Sequence, residues 1–291
     1  MLKNEIRKLL QVHPLINPFI YEDINRMGAF CGINNETKRE HQIIVTLTAQ
    51  REYFKELQIT IFSILNQSLK PDRIILWLDE ETESLATLPY EITRFIKNGL
   101  EIRFAKDVKN YTGSVYAFKE FKDSIIVTAN NNIYYRKDWL KRLYLSYITN
   151  PDDIHVHCAQ RVLLTNGATV VLREGTIYVS QESAEYNNFL LGDGGVLYPP
   201  GCFSKEALRD DIFTKYAPDY DDIWFWIRGV IQNKKIRVVK NHYSTLIAVN
   251  IFKKLFDKSY ENNFDLQFKS LMDLYGQNIL NKLKQHNTPN I

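Results

Sequence analysis

The segment "QIIVTLTAQREYFKELQITIFSILNQSLKPDRIILWLDEE" admits few folds. Its first apolar run, "IIVTLT" at residues 43–48, reads as a buried strand. Tyr53, Leu57, Ile61 and Leu65 then recur every four residues, which predicts a helix that ends before the turn at Pro71. "RIILWLD" at 73–79 is the next strand. Strand, helix and strand in so short a stretch predict a parallel, right-handed βαβ unit.

The rhythm continues with a helix near 88–98, the strand "LEIRFA" (100–105), a short helix near 113–121 and the strand "SIIVTA" (124–129). Trp139, Leu140, Leu143, Tyr144 and Tyr147 line one face of a further helix. Four strands alternating with helices predict an open parallel sheet whose ligand crevice lies at the strands' carboxyl ends. After Pro151 the texture changes. "IHVHCAQRVLL" (154–164), "ATVVLRE" (168–174) and the glycine-rich "LLGDGGVLYPPG" (190–201) predict short strands and tight turns of a mixed sheet that completes the site. "DDIWFWIRGVI" (221–231) places Ile223, Ile227, Val230 and Ile231 on one helical face, with Asp221 and Asp222 in the first turn, where negative charge suits the helix dipole. "KIRVVK" (235–240) follows as a strand, and 251–285 read as mostly helical. A short helix at 4–11 and turn signals occupy the first forty residues.

A chain of 291 residues, 45% of them hydrophobic, suits one elaborated α/β domain with a smaller appended region. Thirty-seven basic and 34 acidic side chains leave a formal charge of +3, so no global field argues for nucleic acid as a partner. Cys31, Cys158 and Cys202 form neither a disulfide framework nor a zinc site, which fits a reducing cytoplasm. The opening stretch "MLKNEIRKLLQVHPLINPF" lacks the uninterrupted apolar core of a signal peptide. No segment reaches the ~20 apolar residues that span a bilayer. The expectation is a soluble or peripheral protein.

Five blocks, "VTLTAQREYFKELQITIFSILNQSLKPDRIILWLDE", "GLEIRFAKDVKNY", "DSIIVTANNNIYYRKDWL", "GGVLYPPG" and "APDYDDIWFW", carry a resemblance across about residues 43–240. In order and spacing they are similar to nucleotide-sugar-dependent glycosyltransferases of the GT-A fold, particularly bacterial family-two-like enzymes of polysaccharide and lipopolysaccharide assembly. The resemblance implies an α/β, Rossmann-like, open and mostly parallel sheet flanked by helices, with a mixed acceptor-side sheet and C-terminal helices. It divides the chain into an N-terminal extension (1–40), a transferase domain (41–245, with a nucleotide-binding half at 41–150 and an acceptor half at 151–245) and a C-terminal helical region (246–291). It implies a nucleotide-sugar donor, with a UDP-sugar favoured, a glycan or lipid-linked acceptor, and a cytoplasmic place with peripheral contact at the inner face of the membrane. The basic, aromatic "IFKKLFDKSY" (251–260) suits surface attachment and equally an ordinary packed helix.

Members of this family usually carry Asp-x-Asp after the fourth strand. Here Asn130, Asn131 and Asn132 stand in its place. The family's Mn²⁺ or Mg²⁺ would be held by carboxylates and would bridge the donor's phosphates. Asparagine offers an oxygen but no negative charge, so metal held by Asn132, or by His242 from a late segment, is expected to be weak or absent. Three functional readings follow: a metal-independent transferase, a silent sugar- or nucleotide-binding homologue, and a chain whose acids were deliberately replaced by amides. The local alternative is a turn that exploits asparagine's tolerance of left-handed backbone.

By the same resemblance Thr46, Arg51 and Asp79 flank the nucleotide, with capping as the rival role of Asp79. Lys106, Lys109 and Tyr111 lie just beyond the third strand, where a lysine could substitute for metal charge. Asp193 sits among glycines that allow close backbone approach to a sugar, or equally a tight structural turn. An inverting transfer needs a base for the acceptor hydroxyl, and Asp222, or Asp221, at a helix start fits that task. Tyr198, Trp224 and Trp226 complete an expected acceptor wall, although either tryptophan equally suits a core. His155 and His157 share one strand face, lining the pocket or satisfying a half-buried sheet.

Overall fold

The computed structural model describes residues 16–165, 169–171, 179, 182–239, 246–248 and 258–286. The predicted helix at 4–11, His242 and residues 251–257 of the basic, aromatic stretch lie outside the described residues.

Strands β1 (Ile43–Thr48), β2 (Arg73–Asp79), β3 (Leu100–Ala105) and β4 (Ile125–Thr128) are hydrogen-bonded in the order β3-β2-β1-β4, every pair parallel. Both faces of this sheet are covered, as the unbroken apolar runs require. Ile43, Val45 and Leu47 join Ile74, Leu76 and Leu78 in one core, whereas Ile44, Ile75 and Trp77 enter the other. Helices α1 (Ile16–Arg26) and α2 (Phe54–Leu65) lie on the first side. The expected helix near 88–98 is reduced to a single turn, α3 (Tyr90–Thr93), and a 3₁₀ turn at Ile96–Asn98. Leu88, Ile92 and Phe95 of this stretch reach the core, but Leu88 precedes Pro89 and Ile96 stays exposed, so little sustains a longer amphipathic helix. Helix α4 (Thr112–Glu120) covers the second side of the sheet, and α5 (Trp139–Thr149) returns to the first, packed by Trp139, Leu140 and Leu143.

Three short antiparallel ribbons decorate the sheet. β5 (Ile133–Tyr135) pairs with β14 (Leu246–Ala248), β7 (Ala159–Arg161) with β11 (Asn188–Leu190), and β8 (Leu163–Thr165) with β9 (Thr169–Val171). The main sheet itself continues beyond β4 through β12 (Val196–Tyr198), β6 (Ile154–Val156), β13 (Ile236–Val238) and β10 (Ser183–Glu185), making eight strands. β12 is antiparallel to both β4 and β6, so β6 and its parallel neighbour β13 point the same way as β1 and β4. This is the mixed extension expected of residues 151–245.

Helices α6 (Asp210–Tyr216) and α7 (Asp221–Ile231) precede β13. Because α7 must run back before β13 runs forward, its first turn lies at the same sheet edge as the carboxyl ends of β1 and β4. The apolar face expected on α7 is buried through Ile223, Ile227 and Val230, and burial extends round the rest of the helix. Residues 223–230 are all buried, because α8 (Lys258–His286) lays Phe264, Phe268, Leu271, Tyr275 and Ile279 along it opposite the sheet. Among the described residues no helix is long and apolar enough to cross a membrane. The three cysteines are free thiols, and burial pushes Cys202 up to about 12.

His155 and His157 are fully buried and satisfy the sheet rather than line the cleft. The His155 ring bridges the Ser146 hydroxyl at 2.9 Å and the Asn150 carbonyl at 3.0 Å, and His157 meets the Trp139 carbonyl at 3.0 Å. Burial holds His155 neutral, lowering it to about 4, with Arg237 acting in the same direction. Between the ordinary value of 6.5 and about 4 the unfolded chain therefore binds more protons than the folded one, and stability falls as pH falls through that window. His155→Gln should remove roughly 2 kcal/mol of the stability difference between pH 7 and pH 5, read as the difference in urea unfolding free energy between wild type and variant.

Candidate active site

The order β3-β2-β1-β4 has its switch point between β1 and β4, where successive connections leave to opposite faces. The last shared bond is Ala129 N–H to the Thr46 carbonyl at 3.0 Å, and beyond it the chains part. A cleft of about 1290 Å³ opens there. Of the residues expected at the site, Thr46, Arg51, Asp79, Lys109, Asn130, Asn131, Asn132, Asp193, Tyr198, Asp221 and Asp222 line it. That size suits a nucleotide with a sugar attached.

Register brings the asparagine turn and the glycine-rich loop together. Val196 of β12 pairs with Thr128 of β4 in antiparallel sense, so the chain just before β12 lies beside the chain just after β4. Asn130 Nδ2 accordingly donates to Asp193 Oδ1 at 2.6 Å. Asn131 Nδ2 donates to the Thr48 carbonyl at 3.2 Å, closing the turn onto β1. The buried Tyr135 supports it from below, its hydroxyl accepting from Asn130 N–H at 2.8 Å and donating to the Asp193 carbonyl at 3.4 Å. Among the described residues, positive φ occurs outside glycine only at Lys109 and Asn233. Left-handed backbone is therefore not what the three asparagines are for.

The glycines next to Asp193 pack closely within the protein, and Gly192 also lines the cleft. A Cβ at Gly195, where φ is +76°, would lie 2.5 Å from Trp139, and one at Gly192 would lie 2.7 Å from Asp222 Oδ1. Gly192 N–H donates to both carboxylate oxygens of Asp222, at 3.1 and 3.0 Å. Asp222 is thus aimed by two elements: the first turn of α7 carries it, and the loop before β12 fixes its orientation.

The opposite wall comes from β1, β2 and the start of α4. Thr46 Oγ1 donates to the Gly113 carbonyl at 2.6 Å and accepts from Trp77 Nε1 at 3.1 Å, so its hydroxyl seats α4 on β1. Asp79 caps its own turn, accepting from Glu81 N–H at 3.2 Å and from the Thr82 hydroxyl at 2.9 Å. Arg51 forks onto the buried carboxylate of Glu83, with Nε at 2.8 Å, and reaches the Thr87 carbonyl at 3.1 Å. That hydrogen bonding raises the guanidinium above its ordinary range. Lys109 Nζ pairs with Asp219 Oδ1 at 2.7 Å, and this bond lowers Asp219 below the usual carboxylate range.

Four expected site residues are elsewhere. Trp224 and Trp226 are fully buried, donating to the Ala207 carbonyl at 2.8 Å and the Tyr186 carbonyl at 3.0 Å; they are core, because α7 is covered on every side. Tyr111 is buried against Phe213, with its hydroxyl on the Ala217 carbonyl at 2.7 Å. Lys106 is exposed and outside the cleft. Tyr198 keeps an edge on the cleft while packing against Phe118, Phe203 and Phe225. Sequence reasoning missed Glu83, Asn110, Tyr135 and Asp219, whose partners lie 32 to 110 residues away or, for Tyr135, in the asparagine turn above it.

Carboxylates dominate the lining: Glu52, Asp79, Glu83, Asp107, Asp193, Asp219, Asp221 and Asp222, against Arg51 and Lys109. Among the described residues no group of three or more His, Cys, Asp or Glu is disposed to hold a metal. At the turn itself the donors are neutral amides and one carboxylate, Asp193, already engaged by Asn130. This donor chemistry does not fit a divalent ion held by the protein alone.

No protein-family model and no curated protein matches the sequence. Among solved structures, S. aureus TarS 1-349 in complex with UDP superposes with a TM-score of 0.52 at 12% identity, covering 86% of this chain and 72% of that one. A second structure of S. aureus TarS 1-349 gives 0.47 at 12% identity, covering 86% and 73%. The chain shares the fold of the first of these neighbours, a mostly parallel central sheet flanked by helices.

A Cβ at Gly113 would sit 3.1 Å from the carbonyl carbon of Leu47 and 3.3 Å from Thr48 N, both backbone atoms of the central strand. Gly113→Val should therefore lift α4 from β1 and lower the unfolding free energy by about 1–3 kcal/mol in a urea titration.

Proposed function

We propose that this chain is a glycosyltransferase that moves a sugar from a nucleoside diphosphate donor to a hydroxyl of a glycan or lipid-linked acceptor, in assembly of a surface or cell-wall polymer. The observation that carries the reading is that Asp222, the asparagine turn and Lys109 face one cleft at the sheet's switch point. The fold shared with a UDP-bound protein supports a UDP-sugar as donor. A lipid-linked acceptor would place the protein in the cytoplasm beside the inner face of the membrane.

Chemistry follows from the placement. The acceptor hydroxyl approaches Asp222, whose carboxylate takes its proton as the oxygen attacks the anomeric carbon from the side opposite the diphosphate, giving inversion. Gly192 N–H keeps that carboxylate in one orientation, and Asp221 adds negative charge next to it. As the glycosidic bond breaks, the diphosphate gains charge that a cation must meet. Magnitudes choose between the two candidates. Lys109 is half-exposed, and an exposed pair such as Lys109–Asp219 contributes only about 0–1 kcal/mol, so exchanging Asp219 for a diphosphate costs little. Detaching Arg51 would leave the buried Glu83 carboxylate without the guanidinium that forks onto it, a larger penalty than releasing the more exposed Asp219. Lys109 thus meets the leaving group and Arg51 shapes the wall.

A silent nucleotide-binding homologue is the second reading, and what favours it is the set of neutral amides where carboxylates would hold a metal. Turnover of UDP-glucose and UDP-N-acetylglucosamine, with Mn²⁺ and with chelator, decides between them. On the first reading wild type turns over a donor, Asp222→Asn lowers the rate about 10²–10⁴-fold with UDP affinity nearly unchanged, and Lys109→Ala weakens UDP binding about tenfold. Activity found only in Asn130→Asp/Asn132→Asp, and only with Mn²⁺, would sink the first reading and support the second.

A further inference from the structure

The residues just before α7 are held from two directions. On the cleft side, Lys109 Nζ binds Asp219 Oδ1 at 2.7 Å and Asn110 Nδ2 donates to the Asp219 carbonyl at 2.7 Å, while beneath them the buried Tyr111 hydroxyl donates to the Ala217 carbonyl at 2.7 Å. From behind, Gln267 of α8 makes a two-point contact with Asp219. Its Nε2 donates to Asp219 Oδ2 at 2.9 Å, and its Oε1 accepts from the Asp219 backbone N–H at 3.1 Å. An amide is the side-chain group that offers one donor and one acceptor side by side, so glutamine matches this carboxylate and N–H together. Next to it, Phe264 meets the edge of Tyr220 at 5.1 Å. Asp221 and Asp222 follow immediately.

We propose that Gln267 is a positioning residue: through Asp219 it latches the start of α7, and with it the carboxylates Asp221 and Asp222, to the C-terminal helix. The inference rests on the transferase reading for its catalytic consequence, not for the latch itself. The latch has a specific use in that reaction. When Lys109 turns to the diphosphate, Asp219 loses its cation. Gln267 then holds Asp219 in place, and the base keeps its aim while the cation moves. The C-terminal helix becomes part of the catalytic machinery, 45 residues beyond the base it steadies in sequence.

Hydrogen exchange in the full chain tests the latch without requiring activity. In Gln267→Ala, the amides of residues 219–222 should exchange about tenfold faster or more, while those of β1, β2 and β4 keep their wild-type protection. The same variant should lower kcat about tenfold with the donor KM within about threefold, because the loss falls on positioning rather than on donor binding. Gln267→Glu adds a signature that mere packing would not produce. Its carboxylate still accepts from the Asp219 N–H but opposes Asp219 Oδ2, with the one Lys109 ammonium beside Asp219 to offset two carboxylates, so its activity relative to wild type should rise as pH falls from 8 to about 5. The ratio of Gln267→Ala to wild type should stay flat over that range. Unchanged exchange at 219–222, or faster exchange spread evenly over the sheet, would overturn the latch. Local loosening in a protein that turns over no donor would leave the latch standing and overturn the transferase reading instead.

Discussion

Parallel hydrogen bonding of β1 to β2 on one side and to β4 on the other is the constraint from which the site follows. A parallel pair must be joined by a crossover, and β1's two neighbours are reached by crossovers covering opposite faces, so no chain covers the gap at their carboxyl ends. Thr46 and Gly113 tighten the arrangement by bringing α4 into backbone contact with β1. The cleft is thus a by-product of sheet order, and the residues at strand ends inherit it as their environment.

What fills the cleft's far wall depends on direction. β12 runs against β4, which returns the chain to the same edge and sets Asp193 beside Asn130. β13 runs with β6, which obliges α7 to begin at that edge with Asp221 and Asp222. Two carboxylate-bearing segments so converge on a turn that itself carries only amides. The negative charge around the turn comes from its neighbours, and among the described residues the cations on the lining, Arg51 and Lys109, are already bound to acids.

Where the residues reported their own environment, the fold was legible. Runs such as "IIVTLT" and "RIILWLD" are apolar at successive positions because both faces of the sheet are covered, and each became a strand with the predicted bounds. "DDIWFWIRGVI" likewise became α7 without a shift at either end. The site was legible as far as position along the strands carries it: Thr46, Asp79, Asn130–Asn132 and Asp222 line the cleft because each stands at or just beyond an element's end at one edge. Trp224, Trp226 and Tyr111 show the limit. An aromatic beside an acid suits a sugar platform or a core equally, and only the packing of α8 and α6 over them decided for the core.

The sequence by itself determined the alternation of strands and helices, the edge at which the cleft lies and the neutrality of the asparagine turn, since periodicity and residue type are local properties. Only the tertiary structure decided which side chains speak to one another across it. Asp193 with Asn130, Gly192 with Asp222, Lys109 and Gln267 with Asp219, and Arg51 with Glu83 are pairs set by strand direction and helix packing between segments distant in the chain. Hydrogen bonds act over about 3 Å, and no spacing along a sequence records which distant groups will come that close.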